Sequence, residues 1–140
     1  MLGALVFDNE DEREKLEGIL HPLVCIAQDA FVKEQRSAGH KIVALDIPLL
    51  FETGAEVRCD YTVNISAPEF VQQARVLSRP GMDEKKLGAI LKRQMPDGEK
   101  CVRADFIVHS GLGRAQMMKE LKGILYIIEN GQSEEEIEAI

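Results

Sequence analysis

Leu45-Asp46-Ile47-Pro48-Leu49-Leu50-Phe51-Glu52-Thr53-Gly54 is the stretch whose reading decides the fold. It follows from Ile42-Val43-Ala44-Leu45, an apolar run without alternation, and such a run suits a parallel strand covered on both faces. Pro48 has no N–H to donate, so pairing should stop there. A strand is therefore expected over Lys41 to Ile47, with Asp46 at its carboxyl end, where open α/β sheets place their ligands.

Upstream, Asp8-Asn9 can cap a helix over Glu10 to Leu20, with acids in its first turn as the helix dipole favours. His21-Pro22 is expected to break it, and a second helix from Pro22 to Ala38 would bury Leu23, Ile26, Ala27, Ala30 and Phe31 before Gly39 stops it. The two would form a helical hairpin. Downstream, a strand over Tyr61 to Ile65 leads through Ser66-Ala67-Pro68 into a helix ending near Ser78. Asp83 begins a helix reaching Gln94, Pro96 to Arg103 forms a short helix, and Ala104 to Val108 is a third strand. Arg114 to Asn130 closes the chain with Met117, Met118, Leu121, Ile124, Leu125 and Ile128 turned inward. Strand, helix, strand order indicates an α/β fold with a parallel sheet.

The 140 residues suit a single domain over 1–130, followed by a loose acidic tail over 131–140. Within that domain, 1–40 is helical, 41–67 holds core strands, 79–103 is a basic segment, and 104–130 is the last strand with its helix. A 45% hydrophobic, 5% aromatic composition predicts an aliphatic core. No run approaches the roughly 20 apolar residues needed to span a bilayer, and Met1 to Phe7 lacks the basic flank of a secretory signal. These features predict a cytoplasmic address and no membrane partner. Cys25, Cys59 and Cys101 are widely spaced, without a C-x-x-C, and are expected as buried reduced thiols.

The net charge of −7 argues against a nucleic-acid partner. The bases are nevertheless concentrated: from Arg75 to Arg103 there are eight of them against four acids. An anionic ligand is the simple reading. Arg75 and Arg79 stand one helical turn apart, so both heads can reach one anion, while a solvated basic face is the plainer alternative. Lys85, Lys86, Lys92 and Lys100 are expected at the surface.

Three separated blocks, in order, resemble the dephospho-coenzyme A kinases. They are Leu20-His21-Pro22-Leu23-Val24, then the Leu45 to Gly54 stretch, then Arg93-Gln94-Met95-Pro96-Asp97 with Glu99-Lys100 and Arg103 to Val108. The resemblance runs to about Glu129 and begins partway into the family's sequence, after its first strand, glycine-rich phosphate loop, helix and second strand. It implies a P-loop kinase-like three-layer α/β/α fold, here incomplete, with a mostly parallel sheet of about three strands and a helical hairpin. The family's first strand lies between the strands expected at 42–47 and 61–65. Without it those two would face each other across about 9.6 Å, so the sheet is expected to rearrange or stay open at that point.

The resemblance also implies ATP and Mg²⁺ as cofactors and dephospho-coenzyme A as the small-molecule partner, phosphorylated on its ribose 3′-hydroxyl in the last step of coenzyme A biosynthesis. Oligomeric state is left open. Asp46 would hold a Mg²⁺ water or line the acceptor pocket, or else simply cap the next turn. His21 and Pro22 would border the acceptor, or only end a helix. Pro48, Leu49 and Phe51 would wall the acceptor's apolar part, with Glu52 near substrate or merely solvated.

Arg79 would open a lid over ATP and act in catalysis, with Arg75 and Arg93 joining it on the phosphates. Ser110 and Gly111 would form the adenine-side loop, where His109 departs from the family's usual Asp or Asn. No G-x-x-x-x-G-K-[S/T] occurs in the chain, and neither Gly39-His40-Lys41 nor Gly111-Leu112-Gly113 has that form. A non-catalytic module that binds dephospho-coenzyme A or another anion is the alternative.

Overall fold

Asn9 caps the first helix, α1 (Glu10–Ser37), by accepting the Glu12 N–H on its side-chain oxygen at 3.3 Å. The computed structural model describes residues 9–131, so the expectations for Met1 to Asp8 and for the tail beyond Gly131 lie outside the described residues. Contacts divide the chain into two compact units, Met1–Ile47 and Pro48–Ile140.

In the first unit the expected hairpin is one helix of 28 residues with Pro22 inside it. Proline there removes a hydrogen bond and costs about 3 kcal/mol. Good helix formers continue on both sides, and once a helix has nucleated, each further residue adds a bond, so the helix runs through. Gly39, at φ 85°, takes the left-handed conformation that ends it. No residue of α1 is buried; Leu23, Ile26 and Phe31, expected inside, are exposed.

The segment 41–47, expected as a strand, forms no ladder among the described residues. Apolar character permits a strand, but hydrogen bonds to a neighbour make one. Among the described residues the sheet has two strands, against the expected three or so.

In the second unit β1 (Val63–Ser66) pairs in parallel with β2 (Phe106–His109), Val63 opposite Phe106 and Ser66 opposite His109. Three helices lie between them in sequence: α2 (Glu69–Leu77), α3 (Glu84–Leu91) and α4 (Asp97–Arg103). The register is pinned at the amino ends. Asp105 Oδ2 accepts from both the backbone N–H and the hydroxyl of buried Thr62, each at 2.7 Å, and the Asp105 N–H donates back to Thr62 Oγ1.

Helix α5 (Arg114–Asn130) covers this ribbon. Phe106, Val108, Ile124 and Ile127 form the buried cluster, with Met117, Leu121 and Ile128 packed on it. Each such side chain contributes about 1.5–3 kcal/mol by leaving water. Ile127 takes the place expected of Leu125, which with Met118 is exposed. The stripe is rotated by part of a turn from its expected centre. The three cysteines form no disulfide and are partly buried rather than buried.

Candidate functional site

The carboxyl ends of β1 and β2 open into a cavity of about 770 Å³. Its floor is Ser66 at the end of β1 with Ala67 and Pro68 just beyond it, and His109 at the end of β2 with Gly111 and Leu112 in the turn that follows; Gln94 to Gly98 and Lys100 form another side. Parallel strands end in aligned loops on one edge, which is why ligands of open α/β sheets collect there, and the volume suits a small-molecule ligand.

Asp97, the first residue of α4, ties this edge together. Its Oδ2 accepts from the Ser66 hydroxyl at 2.5 Å and its Oδ1 from the Asn64 amide at 3.2 Å, linking the α4 start to β1. The Asn64 amide also reaches Cys101 Sγ at 3.2 Å. Across the cavity, Gly111 packs so close to Pro68 that an added Cβ would lie 2.9 Å from the proline Cδ. A side chain there would push the two loops apart.

Glu52 is not a solvated loop acid. Its Oε1 accepts the Met95 backbone N–H at 2.7 Å and meets Lys100 Nζ at 2.8 Å, and both side chains are largely buried. Burial acts to raise the Glu52 carboxyl, but Lys100 and the Met95 N–H outweigh it and hold it below the usual carboxylate range. Lys100, expected at the surface, is the buried partner. Beside it Arg103 pairs with Glu56 and lies 5.0 Å over the ring of buried Phe51. This cluster clamps the loop after Pro48 onto the Met95 to Arg103 segment that lines the cavity. Burial also raises the Cys59 thiol.

The expected site residues fall into groups. Gly111 lines the cavity, and Ser110 lies beneath it, its hydroxyl donating to the Ser66 carbonyl at 3.2 Å. Arg75 is engaged there too: its guanidinium donates to Ser110 Oγ and to the Ser110 carbonyl, each at 2.9 Å. Arg79 and Arg93 are exposed, in the turns after α2 and α3. Phe51 and Glu52 face the clamp just described, Leu49 is half-buried and Pro48 exposed. His21, Pro22 and Asp46 are exposed and belong to the first unit.

Sequence reasoning missed Ser66, Asn64, Lys100 and Glu120, the last a buried carboxylate on α5 that accepts the His109 backbone N–H. Glu120 carried a legible signal, a charge on the apolar stripe between Met117 and Ile124; Ser66 and Asn64 carried none.

A family model described as dephospho-CoA kinase matches residues 1–115. A relative of that name from Mesorhizobium japonicum is 49% identical over 89% of this chain and 63% of its own length. One from Rhodospirillum rubrum is 43% identical over 93% of this chain and 62% of its own. Among solved structures, a Thermus thermophilus protein superposes with a TM-score of 0.71 at 32% identity, covering 89% of this chain and 64% of that one. The dephospho-CoA kinase of Campylobacter jejuni gives 0.62 at 25% identity, with 93% and 64% covered. The chain thus spans somewhat under two thirds of the relatives it matches. With the family model covering residues 1–115 and relatives of that name 43–49% identical over about nine tenths of its length, this chain belongs to the dephospho-CoA kinase family.

Proposed function

We propose that the chain serves the ATP-dependent phosphorylation of the ribose 3′-hydroxyl of dephospho-coenzyme A, and that the cavity at the ends of β1 and β2 is on the nucleotide side of that reaction. The observation that carries this reading is the cavity itself: nucleotide-sized, at the carboxyl edge of parallel strands, bordered by the chain's basic segment.

In this reading the acceptor's 3′-oxygen bonds to the γ-phosphorus while the bond to the β–γ bridging oxygen breaks, and ADP leaves. The hydroxyl proton passes to solvent, and Asp46 lines the acceptor, as the resemblance implies. His21 and Pro22 border the acceptor. Arg79 and Arg93, exposed in the turns of the basic segment, neutralise charge on the phosphates. Arg75 acts less directly, by holding the Ser110 loop. Glu52 and Phe51 support the cavity wall through Lys100, Met95 and Arg103 instead of touching substrate.

When bound, a magnesium ion would neutralise the triphosphate. Among the described residues no group of three or more His, Cys, Asp or Glu side chains is placed to hold a metal. Triphosphate also calls for a backbone cradle, and these 140 residues contain no G-x-x-x-x-G-K-[S/T]. A second reading is a module that binds acceptor without turning it over.

Calorimetric titration with dephospho-coenzyme A and with ATP, followed by an assay for coenzyme A formation, tests both readings. Binding with product formation supports the kinase, and binding of acceptor without product supports the module. Absence of binding by either ligand removes the proposal.

A further inference from the structure

Glu120 is a carboxylate that the reaction above leaves unused. It sits on the buried stripe of α5, where an apolar side chain would pack, and its side chain is 6% exposed. Burying a carboxylate is unfavourable unless hydrogen bonds offset the lost hydration. Three groups do so here. The His109 backbone N–H donates to Oε2 at 2.6 Å, the Gln116 amide donates to Oε1 at 3.0 Å, and His109 Nδ1 lies 3.4 Å from Oε1.

Two of the three belong to one residue, and that residue lines the cavity. His109 ends β2, and from it the chain turns through Ser110–Leu112 along the cavity wall. The far side of this turn is held by Arg75 and by the Ser66 carbonyl, and Gly111 is pressed against Pro68. The tie from α5 is Glu120. A leucine in its place would fill the stripe equally well, but it could not hold a backbone N–H where the strand ends.

We propose that Glu120 is a positioning residue: by gripping both the main chain and the ring of His109 it fixes the His109 to Leu112 wall, and so sets how tightly the cavity holds its ligand. The ligand part rests on the nucleotide reading above, whereas the wall part stands alone.

The test compares the full chain with Glu120→Gln and Glu120→Ala by amide hydrogen exchange and by ATP titration. In Glu120→Ala the amides of His109 to Leu112 lose protection by about tenfold or more while those of Ile65 and Ile107 stay near wild type; Glu120→Gln, whose amide oxygen still accepts, stays within about threefold. ATP affinity follows the same order. A uniform loss of protection across the sheet, or no loss at the wall, overturns the proposal as a merely structural or idle role. Equal ATP affinity in all three proteins overturns the ligand part. If the wild type binds no ATP, the nucleotide reading falls, and the exchange pattern alone decides whether Glu120 holds the wall.

Discussion

Two apolar segments, Ile42 to Ile47 and Phe106 to His109, look alike in sequence and fare differently. The first carries the denser run of β-branched and aliphatic residues, yet it forms no ladder among the described residues. The second is a strand with Val108 fully buried under Ile124 and Ile127. The difference lies in the neighbours: β2 has β1 beside it and α5 across its face, and the Thr62–Asp105 bonds fix where pairing begins. Apolar sequence sets what a segment can become, and a hydrogen-bonded partner decides whether it does.

The contrast breaks most easily at the core. Ile124→Ala should cost about 2–5 kcal/mol in urea unfolding, with Val108→Ala somewhat less, because both leave a cavity where β2 meets its helix. An effect below about 1 kcal/mol would mean that the ribbon is not packed as described. Next comes the clamp. Glu52→Ala strands a buried N–H and the Lys100 ammonium, and should cost about 2 kcal/mol, while Glu52→Gln, which can still accept from Met95, should cost less.

Acid should act on the same groups. The His109 N–H, then Gln116, holds the Glu120 carboxyl below its usual range against the opposing effect of burial, as Lys100 and Met95 do for Glu52. A carboxyl that holds its proton less tightly when folded stabilises the fold fully above the ordinary value of about 4.3, and that stabilisation fades as pH falls through the lower folded values. Urea midpoints taken from pH 6 downward should therefore drop below about pH 4, and the drop should shrink in Glu52→Gln. The smallest effect belongs to the other segment: Val43→Ala should change stability by less than about 1 kcal/mol, since among the described residues no ladder and no buried cluster depends on it.

Much of the second unit was legible in sequence because its signals are local. Pro68 and Pro96 start helices, Asp83 caps one by accepting the Lys86 N–H, and the Arg114 to Asn130 stripe has helical period. The three motif blocks named the family. What was not legible depends on partners distant in sequence. Glu52 and Lys100 pair across 48 positions, so neither residue's surroundings announce the other. Arg75 reads as a phosphate ligand, and nothing near it in sequence announces that its guanidinium also donates to Ser110, 35 residues away. Pro22 looks like a boundary because a broken hydrogen bond is visible in sequence, whereas the cooperativity that carries α1 past it is not.

Amide hydrogen exchange read residue by residue on the wild-type chain tests the central contrast most directly. The amides of Phe106 to Val108 should exchange at least about a thousandfold more slowly than their unstructured rates, and those of Val43 to Leu45 within about tenfold of theirs. Equal, strong protection of both segments would contradict the account, since it would place a ladder partner beside 42–47 that the described fold does not contain.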